Sequence, residues 1–533
     1  MLSGFGNVTL CREQEQFMGA TDPVPASDGI MEAGRARQLL TGALLVAMST
    51  VAFETTVVGA ALPSIAGELQ GFALYPWVFS GYLLTSTTTA PLYGKMSDVF
   101  GRRPLFFLGL TIFTLGTFLC GLAWNMPMLV ISRLIQGVGA GAVLPLTLTV
   151  MGDIYSIQDR VRVQAITSSM WGFFSLIGPS VGALMTQYVS WRWVFWSNLP
   201  LCLLSIVFLG IHLKEKVSRR VVTIDYAGAI TLTAGLVCLL LVALEGGRSL
   251  PWGSPEMYAC ITAGVALLVV FGFVERRAPE PILPFAAFRL RPVAVGNAGN
   301  VLVGLTNFVL ASFVPLLVQG VRGDGATGTS AVLTPLASAW SIAAIVSGRI
   351  YLALGFRMSA FLGTGTIALG CIGLAMTGTN APLWAIALAM GVTGIGLGLS
   401  STAFLYAPQV AVPWNQRGAV TSSTQFARNI AGAIGVAIGG GLLNSRLIDA
   451  AEASGASPSE AVPLVSQLLS ASDRAQIDPV TAAKLTGILG SELMTIITVL
   501  AAISVAGTVF MIALARDPSP AEPKTVAAMS VHD

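Results

Sequence analysis

Residues 39–62, LLTGALLVAMSTVAFETTVVGAAL, carry a single charge, Glu54, and are bounded by Arg35 and Arg37 before and Pro63 after. At ~1.5 Å per helical residue the run is long enough to cross the hydrocarbon of a bilayer. Runs of this kind recur along the chain and leave it little choice of fold. A backbone amide in hydrocarbon must be paired within its own helix or along a closed barrel. Barrel strands alternate over about ten residues, whereas these runs are continuous. The chain is therefore predicted to be all-α, a polytopic membrane protein with 14 transmembrane helices at about 39–62, 75–93, 105–123, 128–150, 163–186, 193–211, 224–244, 257–274, 293–318, 328–348, 359–377, 382–405, 421–443 and 492–515. A charged fraction of 10% is too small to coat a soluble domain.

Basic residues set the orientation. With the N-terminus in the cytoplasm, 21 of the 29 Lys and Arg fall in cytoplasmic segments and 6 in outside loops. The positive-inside rule then predicts a multi-pass protein of the cytoplasmic (inner) membrane with both termini cytoplasmic. The polar first 38 residues leave the first span to act as an uncleaved insertion signal. The remaining two cations, Arg133 and Arg428, fall within spans, where a charge is costly; for Arg133 this points to function, while Arg428 either snorkels inward or pairs within the second half. The only histidines, His212 and His532, lie outside the spans, so no imidazole can carry a proton through them. The six cysteines show no metal or redox spacing, and no phosphate loop is present. No metal, no cofactor, no nucleic acid and no enzyme activity are expected.

The segment GKMSDVFGRR (94–103) is echoed by GRIYLALGFR (348–357), with Gly, a basic residue, Gly and Arg at the same offsets. Two such halves are what a rocking transporter with a midplane site requires. The predicted organisation is a cytoplasmic tail at 1–38, an N-terminal six-helix bundle at 39–211, and two inserted helices with basic cytoplasmic flanks at 212–292. A C-terminal six-helix bundle follows at 293–515, with an extracytoplasmic loop at about 444–491, then a cytoplasmic tail at 516–533.

Four stretches give the chain a resemblance to the major facilitator superfamily, and more narrowly to its fourteen-span drug:proton antiporters. The first is GKMSDVFGRRP, residues 94–104. Gly94 and Gly101 permit a tight reversal, Asp98 suits a helix N-terminus, and Lys95, Arg102 and Arg103 suit an anionic membrane face. The resemblance implies a latch that shuts the cytoplasmic side; the second copy has Leu352 where Asp98 stands. The second stretch is RLIQGVGAG, residues 133–141, in which the resemblance implies that Arg133 takes part in proton coupling, with Gln136 about one turn away. The third is GPSVG in span 5: Pro179 bends the helix and Gly178 and Gly182 admit a neighbour, and the resemblance marks an antiporter. The fourth comprises FETTVVGAALP (53–63), where the acid is Glu54 in place of the family's usual aspartate, and WRWVFWSNLP (191–200), whose aromatics also suit an interface belt.

Glu54 is the one carboxylate placed deep in the bilayer. It is expected to take up a proton and release substrate on the outside, then lose the proton and accept substrate inside. The predicted function is a proton-driven antiporter exporting small amphipathic or cationic compounds by alternating access, working as a monomer in contact with membrane lipid. An exporter of one metabolite or siderophore, or a proton symporter, are the competing readings. Candidate cavity residues are Thr55, Tyr82, Gln136, Asn307, Phe308, Trp340, Phe404, Tyr406, Gln425 and Asn429.

Overall fold

The computed structural model describes residues 34–155, 157–213, 225–246, 253–278, 285–413, 416–453 and 477–514, with positions 250, 283, 464, 466 and 467 besides. Residues 1–33 and 516–533 of the predicted tails lie outside the described residues, while residues 34–38, expected in the first tail, open the first helix. The chain folds into long helices: α1 (Gly34–Glu68), α2 (Tyr75–Phe100), α3 (Arg102–Leu122), α4 (Met126–Ile154) and α5 (Ile157–Tyr188). A short helical segment, Arg192–Trp196, leads into α6 (Leu199–His212). Then come α7 (Tyr226–Glu245), α8 (Pro255–Arg277) and α9 (Arg291–Leu316). Gly325–Thr377 breaks at Gly355 into α10 and α11, and α12 (Leu383–Val410), α13 (Arg417–Glu452) and α14 (Pro479–Leu514) complete the chain. Among the described residues, 12 helices are long and apolar enough to cross a membrane. Those twelve do not include α2 and α5, of 26 and 32 residues.

Local chemistry sets several boundaries. Asn125, Asp225 and Ser254 each accept a hydrogen bond from the backbone N–H three residues on and so cap α4, α7 and α8. Gly101 ends α2 at φ 92° and Gly355 parts α10 from α11 at φ 76°, a region where a Cβ is penalised. The two stand at matching offsets in the repeated segments. Beyond them Arg103 donates to the Gly210 carbonyl of α6, 3.1 Å, and Arg357 to the Ile512 carbonyl of α14, 3.2 Å. The span expected to end at 443 continues to Glu452, and the next begins at Pro479, so the segment expected as a loop at 444–491 is shorter at both ends. Burial of Asn444, Leu447 and Ala451 on one helix and Leu485 and Leu489 on the other explains the extension.

Two sets of helices pack alike. In the first, α4 lies against α2 and α3, and α1 against α5 and α6; in the second, α12 lies against α10 and α11, and α13 against α9. The match extends to single glycines. Gly139 of α4 abuts the α3 backbone, where a Cβ would lie 2.2 Å from the Phe113 nitrogen; Gly396 of α12 abuts α11, 2.4 Å from the Ile367 nitrogen. Gly116 presses on Gln136 as Gly370 presses on Thr393. α7 packs on α8 and touches both α2 and α13, with Trp77 donating to Glu245, 3.1 Å.

Among the described residues, hydrogen bonds between the two sets gather at one end. Ser64 and Gln319, Tyr75 and the Ser312 carbonyl, Ser80 and the Ala433 carbonyl, Asn444 and the Ala73 carbonyl, and Ser180 and Ser330 all bond across. These lie toward the α1–α2 turn, away from Gly101 and Gly355.

Candidate functional site

Glu54 sits midway along α1 and faces α4. Arg133, two turns into α4, donates through Nη1 to Glu54 Oε1 at 2.6 Å and to Gln136 Oε1 at 2.6 Å. Its Nε donates to the Val78 carbonyl of α2, 3.3 Å, and its guanidinium lies 4.3 Å from the centroid of the Tyr82 ring. Gln136 in turn donates to Thr117 of α3, 2.8 Å. The second carboxylate oxygen, Oε2, accepts from Asn198 Nδ2 at 3.3 Å, and that amide also donates to the Thr50 carbonyl at 2.9 Å. Four helices, with Asn198 at the entry to α6, thus converge on one ion pair. Glu54 and Arg133 are each 1% exposed.

The arrangement has a chemical meaning. A charge buried at this depth persists only when paired and hydrogen-bonded, and removing one partner of such a pair typically costs about 3–5 kcal/mol. Here each carboxylate oxygen meets an N–H donor, which matches an ionised acid. A neutral acid would need an acceptor for its own O–H. Gain or loss of a proton at Glu54 therefore forces a rearrangement of its neighbours.

The GPSVG residues join helices. A Cβ on Gly178 would stand 2.2 Å from Thr56 Oγ1, and one on Gly182 2.5 Å from the Val57 carbonyl, so α5 closes directly on α1 around the buried Pro179. The side chains of Lys95 and Asp98 lie outside the described ones; Gly101, Arg102 and Arg103 occupy the α2–α3 junction, whereas Gly94, expected to permit the reversal, lies inside α2, where the helix simply continues to Phe100.

The cavity candidates separate into two groups. Tyr82, Gln136 and Phe404 are buried inside a single set: Tyr82 beneath Arg133, Gln136 within the ion-pair network, and Phe404 with its ring on Gly299. Thr55, Asn307, Phe308, Trp340 and Asn429 are partly exposed, and Gln425 and Tyr406 are exposed. Asn307 lies one turn from Ala311, which meets Gly59 of α1; Asn429 and Gln425 lie one and two turns from Ala433, which accepts from Ser80. These three sit on the faces by which the second set meets the first.

Asn198 and Thr117 belong to the site, yet sequence reasoning did not single them out. For Asn198 a signal existed: it is the one amide in WRWVFWSNLP. Thr117 offered none, since hydroxyl residues abound in these helices.

A family model described as Major Facilitator Superfamily matches residues 44–436. Multidrug transporter protein MdtP of Bacillus subtilis (strain 168) is 33% identical over 410 residues, 77% of this chain and 76% of the relative. Multidrug resistance protein 3 of the same organism is 33% identical over 403 residues, 75% of this chain and 78% of the relative. Among solved structures, a bacterial homolog of the human lysosomal transporter Spinster, in an inward-facing and unoccupied conformation, superposes with a TM-score of 0.63 at 13% identity, covering 92% of this chain and 100% of that one. At that identity the likeness concerns the fold.

Proposed function

The chain belongs to the major facilitator superfamily and is a multi-pass membrane transporter of small molecules, not an enzyme; we propose that it is a proton-driven antiporter exporting small amphipathic or cationic compounds by alternating access. The observation that carries this reading is the Glu54–Arg133 pair, sealed inside the first helix set with donors on both carboxylate oxygens. Such a site holds either a carboxylate or a proton, and the two need different surroundings. The likeness to a multidrug transporter protein and a multidrug resistance protein of B. subtilis supports export of drugs.

We read α1–α14 as fourteen spans, with α2 and α5 crossing despite their absence from the most apolar group, because each packs along its length against helices that cross. α1–α6 and α9–α14 are the moving bundles, and α7 and α8 an insert. Both termini are cytoplasmic in this reading, which places Gly101 and Gly355 inside and the cross-bundle hydrogen bonds outside. The conformation is then closed outward and open inward, with Glu54 ionised after releasing its proton. Thr55, Asn307, Phe308, Trp340, Tyr406, Gln425 and Asn429 are the residues best placed to line the substrate path. The Gly94–Arg103 segment, Lys95 and Asp98 included, serves as the inner latch when the bundles rock. The protein works as a monomer in the inner membrane.

Proteoliposomes with an imposed pH gradient and a fluorescent cationic substrate test the proposal. Wild-type protein should accumulate substrate in proportion to the gradient, and a protonophore should abolish it. Glu54→Gln should retain substrate exchange and lose the response to the gradient. Gradient-driven uptake by Glu54→Gln equal to wild type would remove Glu54 from the coupling.

A further inference from the structure

We propose that Asn198 is a positioning residue that reads the protonation state of Glu54 by turning its side-chain amide from donor to acceptor. This rests on the reading that Glu54 exchanges a proton. Asn198 Nδ2 donates to Glu54 Oε2 at 3.3 Å and to the Thr50 carbonyl at 2.9 Å, one turn away on the same helix. Its Oδ1 is buried and has no hydrogen-bond partner among the described residues. The orientation is not arbitrary. Reversed, Oδ1 would face two acceptors, the Thr50 carbonyl and the carboxylate. The ionised state therefore leaves a buried acceptor empty beside the group that is to receive a proton.

When hydronium gives a proton to Glu54, one O–H bond of the hydronium breaks, a water leaves, and an O–H bond forms on the carboxyl; no oxidation state changes. That O–H then needs an acceptor. Arg133 has none to offer, and Gln136 Oε1 already accepts from Arg133 at 2.6 Å. The Oε1 contact is short and charge-assisted, whereas the Oε2 contact is the longer bond from a neutral amide. Oε2 is thus the oxygen that yields, and a half-turn of the amide brings Oδ1 to it. The same turn releases the Thr50 carbonyl. Asn198 stands at the joint between Arg192–Trp196 and α6, whose first turn contains Pro200, so the proton's arrival is felt where α6 meets α1.

The titratable and charged groups facing Glu54 are Arg133 of α4, Tyr82 of α2, Cys120 of α3 and Cys202 of α6. α5 presents an apolar ring on this side, Phe174, which meets Phe53 of α1. Of the two side chains that hydrogen-bond Glu54, Arg133 has no acceptor, while Asn198 carries a vacant one in Oδ1 among the described residues.

Infrared difference spectra, acid minus alkaline, of the full chain in lipid with isotope-labelled asparagine test this. Wild-type protein should show a carboxylic-acid C=O band at the frequency of an acid that donates a hydrogen bond, together with a change in the asparagine side-chain band. Glu54→Gln should lose both. Asn198→Leu should keep the acid band but move it to higher frequency, as for an acid without an acceptor. An acid band unmoved in Asn198→Leu, or a silent asparagine band in wild type, overturns the proposal; the second measurement needs no substitution at 198. Absence from wild type of any acid band sensitive to Glu54→Gln overturns instead the proton reading beneath it.

Discussion

The two helix sets share a backbone plan and differ in their charges. Gly137, Gly139 and Gly141 of α4 correspond to Gly394, Gly396 and Gly398 of α12, and each trio packs between the two preceding long helices of its set. In that correspondence Arg133 falls on Met390 and Gln136 on Thr393. Met390 is buried, in the large apolar cluster, where Arg133 holds Glu54. Likewise Gly178 and Gly182 of α5 correspond to Gly435 and Gly439 of α13, which puts Arg428 where α5 has Trp171. One packing scheme thus carries an internally neutralised pair in one set and none at the matching place in the other. In the proposed antiport, coupling therefore belongs to the first set, and the second set supplies the surface that moves against it.

The harshest way to break this comparison is to give α4 the residue that α12 has. Arg133→Met leaves the Glu54 carboxylate buried without its cation, at a cost of about 3–5 kcal/mol, and should abolish gradient-driven export. The double change Glu54→Leu with Arg133→Met removes the stranded charge and should recover most of the lost stability while remaining uncoupled. Thermal unfolding in detergent and vesicle transport check both. Equal instability of the single and double variants would mean that the cost lies in packing rather than in charge.

A milder pair sharpens the contrast. Gly116→Ala and Gly370→Ala each place a Cβ against a neighbouring helix, about 2.5 Å from the Gln136 backbone and 2.6 Å from the Thr393 nitrogen. Each should lower stability by about 1–3 kcal/mol. Only the first displaces Gln136, which orients Arg133, so only the first should reduce the protons moved per substrate. Matched losses of coupling would erase the distinction between the sets.

The junction glycines come next. Gly101→Ala and Gly355→Ala impose a side chain at positive φ, at roughly 1–3 kcal/mol each. Their arginine contacts, 3.1 and 3.2 Å, are so alike that similar falls in melting temperature are expected. Transport rate should fall further for Gly101→Ala, because only its segment carries an acid, Asp98.

The sequence made the helices legible, because bilayer-length apolar runs admit no other backbone. It made Glu54 and Arg133 legible singly, since a charge in such a run is conspicuous. It did not tell that they touch: they lie 79 positions apart, and their meeting depends on how α4 crosses α1. The loop echo exposed the repeat, but its firmer half, GVGAG against GIGLG, went unread because glycine-rich spans read as generic packing faces. The helices run on past 443 and begin before 492, because burial of a stripe such as Leu447 and Ala451 extends a helix that hydropathy would stop. Tyr82 and Phe404 were expected in the cavity from residue type alone; their burial follows from Arg133 and Gly299, neither of which is adjacent in sequence.

The smallest expected effect concerns Arg428. Its backbone is pressed close to Gly304 of α9, yet its guanidinium makes no hydrogen bond or ion pair among the described residues. Removing it strands no carboxylate, in contrast to Arg133, so Arg428→Met should change stability by no more than about 1 kcal/mol, mostly through packing of its methylene stem. Coupling should be unaffected, since no acid among the described residues of the second set answers to it. Side-by-side melting curves of Arg133→Met and Arg428→Met decide the matter. A comparable collapse of both variants would mean that Arg428 has an anionic partner essential to the fold, and the second set would then be a charged half in its own right.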